Sequence, residues 1–320
     1  MPTNSSARIT CTSSVPPEAR PGHAPGPLSR RLGVGFLLLL STVFAGNHVA
    51  ARLAFDHGTS VPAAVSVRAG GTALALLVLL LLQRVPLALP RGTLLRGMGI
   101  GVLVAVQSFC IYSAVARIPV GLALLVFQTF PVLIVLLTWA SGGERPARRV
   151  LVAMLVALCG LALALDVVGG ARAVAGQWAA IGVGIGFALA ASCVFAVALF
   201  LTTRWLQEVD GRLRTLLTLG TTALLMCALG TATHAMALPR DATGWLGLVL
   251  LTVFYGTSIT AIFTIVPRLS AASSMVALNF EPIAALFLGW LILGQTVAPV
   301  QIAGAFIVVG AIVYLGAGGR

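Results

Sequence analysis

Glu281 is the carboxylate that sits near the middle of a long apolar stretch, with Asp166 near the end of another and the remaining acids in loops or the tail. A carboxylate in that setting does one of three things. It binds and releases a proton, it fixes a cationic amine, or it serves as a structural hydrogen-bonder between helices. Pro282 follows at once. Its ring pushes on the Leu278 carbonyl and gives it no N–H, so a helix there bends and leaves an acceptor free. Pro131 does the same to the Phe127 carbonyl in an earlier apolar stretch, so the two prolines read as paired kinks lining a cavity. Asn279 and Glu281 are two residues apart, about 200° around a helix, so a straight helix does not aim both at one place. Ser274, Ala277, Glu281 and Ala285 share one small or polar stripe.

Further polar groups fall inside apolar stretches, where each is either a binding group or an interhelical hydrogen-bonder. Tyr255 and Ser258 are spaced i, i+3 and share a face. Gln107, Gln128 and the adjacent Asn47 and His48 join them, and His48 is the residue type that titrates near neutral pH. Arg68 either snorkels outward, pairs with a carbonyl, or attracts an anionic group.

The elements that must hold these residues are membrane-spanning helices. Of the 320 residues 59% are hydrophobic and only 9% charged, far below the roughly 25% charge of soluble domains. A hydrocarbon core of about 30 Å takes roughly 20 apolar residues per helix. The chain supplies such stretches near 33–53, 61–82, 95–116, 119–140, 150–168, 178–203, 214–236, 244–266, 270–293 and 297–317. The expected fold is therefore an all-α integral membrane protein of ten transmembrane helices. The third and fourth, and the eighth and ninth, are joined so closely around Arg117 and Arg268 that each pair is a tight antiparallel hairpin. Residues 1–32, rich in Ser, Thr, Pro and Gly without apolar period, read as a disordered tail on the cytoplasmic side.

The net charge of +12 comes entirely from arginine, since the chain has no lysine. These residues sit in short gaps between apolar stretches and not in one basic patch, which argues against nucleic acid as a partner. With an internal N-terminus, fifteen of the twenty arginines fall on the inner side and four on the outer, with Arg68 inside a span. That asymmetry places both termini in the cytoplasm. The wealth of Ala, Gly and Arg points to a GC-rich bacterial genome, hence to the bacterial inner membrane. Four of the five cysteines lie in apolar stretches as small hydrophobes, and none is close to another. No metal site and no cofactor are expected.

Sliding the sequence on itself by 151 residues aligns Ser41 to Ala45 with Ser192 to Ala196, Arg117 with Arg268, and Pro131 with Pro282. Trp139 then meets Trp290, Gly143 meets Gly294, Gln128 meets Asn279, Gln107 meets Ser258 and Tyr112 meets Phe263. The chain thus reads as two repeats, 33–168 and 178–317, each of five spans. Five is odd, so the second copy inserts upside down, an arrangement that places substrate where the halves meet.

These residues resemble those of the drug/metabolite transporter superfamily, specifically EamA-type proteins with two EamA domains. The resemblance rests on Gly46-Asn47, Arg68, Pro131 followed by Gly143-Glu144-Arg145-Pro146, and Asn279-Phe-Glu281-Pro282 followed by Gly294-Gln295. Gln295 stands where such proteins usually carry an acid, whereas Glu144 keeps it in the first half. The resemblance implies a secondary transporter exporting small metabolites such as amino acids, with proton exchange. Two other classes compete. An intramembrane enzyme would need Ser192 or His234 to find partners across helices, as the sequence carries no HExxH, GxSxG or nucleotide loop. A non-transporting scaffold or sensor would need a closely packed midplane. The expected partners are a small-molecule substrate and the lipid bilayer; the sequence leaves the oligomeric state open.

Overall fold

The computed structural model describes residues 30–143, 145, 148, scattered positions between 152 and 163, and residues 175–264, 280–295 and 298–316. The described residues are helical, and seven helices are long and apolar enough to cross a membrane. In chain order the helices are α1 (Arg30–Asp56), α2 (Val61–Leu82), α3 (Arg91–Val115), α4 (Val120–Phe127), α5 (Phe130–Ala140), α6 (Ala175–Trp205), α7 (Gly211–Ala232), α8 (Ala242–Thr264), α9 (Glu281–Leu293) and α10 (Pro299–Gly316). The expected tail, most of the fifth span, and the first half of the ninth span with Arg268, Ser274, Ala277 and Asn279 lie outside the described residues, as do Glu144 and Asp166.

The fourth span, expected at 119–140, runs Val120–Ala140 with a two-residue interruption in its helix. α4 ends at Phe127 and α5 begins at Phe130, with Pro131 in its first turn. Proline carries no N–H for the Phe127 carbonyl. The chain instead tightens, with Thr129 N–H donating to the Val126 carbonyl at 3.2 Å and Val132 N–H to Thr129 at 3.1 Å. α9 starts in the same manner at Glu281-Pro282. The residues two positions ahead of the prolines share one backbone conformation: Thr129 at φ −75°, ψ −13° and Phe280 at φ −75°, ψ −15°. Between α4 and α5 the chain remains close to helical, so the break there is a kink and not a loop.

The two halves are visible in the packing. α1 lies on α8, and α3 on α6; α2 lies on α7, and α4 on α9. α1 also meets α9 as α5 meets α6, and α2 meets α8 as α3 meets α7. Exchanging the halves maps α1 on α8 onto α3 on α6, α1 on α9 onto α5 on α6, and α2 on α8 onto α3 on α7, while α2 on α7 maps onto itself. The expectation of a single ungapped offset needs correction, however. α2 and α7 each run 22 residues, are capped by the side chains of Ser60 and Asp210, and end beside Arg84 and His234, both at φ 52°. These pairs are 150 apart. The 151 spacing returns at the starts of α3 and α8, and of α5 and α9. The loop before α8, residues 233–241, is accordingly one residue longer than the loop before α3, residues 83–90, whereas the loop before α2, residues 57–60, is one shorter than that before α7, residues 206–210.

Close approach between helices rests on glycines at the contact points, as expected where helices pack without a hydrophobic driving force between them. A Cβ on Gly247 of α8 would lie 2.8 Å from Ala54 N and 2.9 Å from the Ala50 carbonyl of α1. One on Gly71 of α2 would lie 2.7 Å from a Thr252 methyl of α8. At the mouth of α7, Asp210 accepts from Arg212 N–H at 2.8 Å, and the hydrogen-bonded Arg212 guanidinium holds its carboxyl down to about 2 from an ordinary 3.8.

Gly247→Leu is expected to force α1 and α8 apart, with a cost of about 1–3 kcal/mol or more from overpacking against backbone; thermal unfolding of the detergent-solubilised protein checks this by a lowered midpoint. Asp210→Ala is expected to cost about 0.5–2 kcal/mol at neutral pH through loss of the cap. Because the folded carboxyl titrates below the unfolded one, its contribution is present above 3.8 and disappears as pH falls through about 2. In an acid series the wild type and variant should therefore converge.

Candidate functional site

α1, α2, α3, α8 and α9 bring polar side chains together between the halves. Asn47 and His48 come from α1. The Tyr112 hydroxyl of α3 donates to Asn47 Oδ1 at 3.0 Å, and the His48 ring stacks on the Tyr112 ring at 5.3 Å between centroids. On its other side, His48 Nε2 lies 3.5 Å from Glu281 Oε1 of α9. That contact joins the first half to the second. Glu281 lies in the first turn of α9 beside Pro282, where a carboxylate also faces the positive end of the helix dipole.

Arg68 of α2 is the centre of charge. It is only 3% exposed, and it neither snorkels outward nor bonds a carbonyl. Its Nη2 donates to Ser108 Oγ of α3 at 3.1 Å, and Ser108 in turn donates to Gln107 Oε1 at 3.4 Å. The guanidinium lies over the Tyr255 ring of α8 at 3.8 Å from its centroid and over Tyr112 at 5.0 Å. Phe44 meets Tyr255 edge-on. The close approach at Gly71 lays α2 on α8, and this is what sets Arg68 under Tyr255.

Of the residues singled out in the sequence, Asn47, His48, Arg68, Gln107, Tyr255 and Glu281 thus fall in one linked cluster. Ser258 is fully buried one turn from Tyr255 on the same helix. Gln128 is buried at the break between α4 and α5. Asn279 lies outside the described residues. Pro131 and Pro282 stand in the first turns of α5 and α9. Sequence reasoning undervalued Tyr112, which appeared only as a repeat counterpart, and passed over Ser108. Their spacing of i, i+4 on an apolar helix, next to Gln107, was the available signal.

Several buried atoms in this cluster have no hydrogen-bond partner: Asn47 Nδ2, His48 Nδ1, Arg68 Nε and Ser258 Oγ. By contrast Ser192 Oγ pairs with Thr129 Oγ1 at 2.8 Å, and His234 is exposed beyond the end of α7. Those two residues are not brought together as a nucleophile and base. No group of three or more His, Cys, Asp or Glu side chains is placed to hold a metal ion among the described residues.

One end of the molecule is clasped between halves. Ser60 N–H donates to the Ala237 carbonyl at 3.0 Å and Arg240 N–H to the His57 carbonyl at 3.1 Å. Ala237 N–H donates to Ser60 Oγ at 3.0 Å, and His57 Nδ1 lies 2.6 Å from Asp241 Oδ2. Gly244 N–H and His57 hold the Asp241 carboxyl below its ordinary range. At the same end Gln295 Oε1 accepts from Val120 N–H at 3.2 Å, tying the start of α4 to the end of α9. At the opposite end the Arg212 guanidinium donates to the Gln83 side chain.

A double-mutant cycle of Tyr112→Phe with Asn47→Ala, followed by thermal or denaturant unfolding in detergent, is expected to return a coupling of about 0.6–1.7 kcal/mol, the scale of interhelical hydrogen bonds in membranes.

Residues 31–165 and 182–317 each match the sequence profile of the EamA-like transporter family. Among curated proteins none matches the chain. One solved crystal structure of a protein is similar in fold at a TM-score of 0.57 and 20% identity, over 91% of this chain and 97% of its own. The two profile matches fall on the two halves whose helix contacts interchange, so the chain belongs to the EamA-like transporter family, as a multi-pass membrane transporter of the drug/metabolite type with two such repeats.

Proposed function

We propose that the protein is a secondary active transporter that exports small metabolites such as amino acids by alternating access, with proton coupling at Glu281. Ten spans form two five-helix halves inserted in opposite senses, in a bacterial inner membrane with both termini cytoplasmic. The observation that carries this reading is the 3.5 Å contact between His48 and Glu281. It bridges the halves deep among apolar helices, beside the buried Arg68 and its two tyrosines.

The chemistry follows from that position. Rocking one half against the other moves α9 relative to α1, and so changes the neighbours of the Glu281 carboxylate. When His48 faces it, the pair shares one proton or forms an ion pair. When the contact opens, the carboxylate meets water or the substrate instead. A proton taken up on one side is then given up on the other, and substrate moves against it. Pro131 and Pro282 stand in the first turns of α5 and α9, at corresponding positions of the two halves, as expected of paired elements around a shared pathway. Glu281 keeps 24% of its side chain accessible, and Gln107 and Tyr255 are half-buried, so the cluster borders open space.

Uptake of candidate amino acids into proteoliposomes, with and without a pH gradient, tests the reading. Glu281→Gln is expected to reduce gradient-driven flux by roughly 5–150-fold, the range of ordinary coupling energies, while exchange without a gradient persists. Full gradient-driven flux in the variant would remove Glu281 from proton coupling, and absence of flux for every candidate in the wild type would remove transport of this class.

A further inference from the structure

Among the described residues Arg68 has no carboxylate in contact. The close contacts there between basic and acidic side chains are His48 with Glu281, Arg52 with Asp56, His57 with Asp241 and Arg212 with Asp210; Arg68 is in none of them. Ser108 takes one guanidinium N–H, and the faces of Tyr255 and Tyr112 offset part of the charge. Nε has no acceptor. Two more groups on the helices that frame it are also uncommitted: the Asn47 amide nitrogen, whose oxygen is held by Tyr112, and the Ser258 hydroxyl, one turn from Tyr255. All three side chains are at most 3% exposed. A buried donor without an acceptor costs about 1–3 kcal/mol, and more when charged. Three of them, on Arg68 and on two helices that frame it, form a surplus that an acceptor-rich group would neutralise.

We infer that Arg68, the Asn47 amide and the Ser258 hydroxyl form the subsite for a carboxylate carried by the transported molecule, with Tyr112 and Tyr255 as walls for its apolar part. A carboxylate is acceptor-only, with two oxygens that match the guanidinium fork. One negative charge balances Arg68, and Glu281 is already turned to His48. A dianionic phosphate would leave a surplus negative charge beside Glu281 in a medium of low dielectric. This inference rests on the transport reading for its ligand, but it makes a separate claim about which group binds where.

The test uses the full chain purified in detergent. Thermal unfolding is titrated with L-leucine, L-phenylalanine, L-glutamate and 4-methylpentanoate as carboxylate probes, and with L-leucinamide and isoamylamine as counterparts that lack the group. At least one carboxylate is expected to raise the midpoint, with its amide or amine counterpart binding at least about tenfold more weakly. Arg68→Gln should abolish the shift, and Ser258→Ala should weaken binding roughly 2–10-fold. Should Arg68→Gln fail to fold, the acid–amide comparison and Ser258→Ala decide. No shift from any carboxylate, equal binding of amide and acid, or wild-type binding in either variant overturns the inference. Flux assays on the same samples separate the two readings. Arg68-dependent carboxylate binding with no flux of any probe would sink transport and keep the subsite. Flux of leucinamide or isoamylamine unaffected by Arg68→Gln, without carboxylate binding, would do the reverse.

Discussion

A guanidinium that is almost wholly buried among apolar helices is the constraint around which the centre of this protein is arranged. Insertion scales put a central arginine at about 2.5–3.5 kcal/mol before any compensation. The compensation at Arg68 comes from three other helices. α3 supplies Ser108 and the Tyr112 ring, α8 supplies the Tyr255 ring, and α1 supplies the Asn47 oxygen that orients Tyr112. Because α8 belongs to the second half, the charge is tolerable only while the halves are packed together. Electrostatics at one residue thus depends on an interface that spans the molecule.

That interface is made by small residues. Gly71 against Thr252 and Gly247 against the Ala50–Ala54 backbone let helices approach to a distance at which a methyl group would collide. Such contacts hold by van der Waals packing and by the absence of side-chain bulk, so they are rigid in separation but permissive in sliding. The polar cluster adds direction to a surface that would otherwise slip. The stack of His48 on Tyr112, and the reach of His48 to Glu281, set the rotation of α1 relative to α9.

Much of this was legible in the sequence, because the bilayer makes hydrophobic length a strong signal. The span expected at 61–82 has the bounds of α2, and Pro131 and Pro282 each fall in the first turn of a helix, with backbone angles two residues ahead that agree within a few degrees. The polar residues isolated in apolar stretches did converge, since each needs a partner and partners are scarce in hydrocarbon. What resisted was direction. A helix that is apolar all round carries no moment to say which side faces inward, so for Tyr112 and Ser108 the i, i+4 spacing is the sole mark in the sequence. The 151 spacing does not hold in α2 and α7, where a spacing of 150 matches Gly70, Thr72, Ala73, Leu74 and Leu79 with Gly220, Thr222, Ala223, Leu224 and Leu229.

The two connections that grip one another through Ser60, Ala237, His57 and Asp241 depart from their counterparts in opposite ways. The segment before α2 holds residues 57–60 against 206–210 before α7, one fewer, and the segment before α8 holds residues 233–241 against 83–90 before α3, one more. A short strap therefore meets a long one at this end of the molecule. The likeness of the two halves is carried by the helices and is given up in the segments that join them.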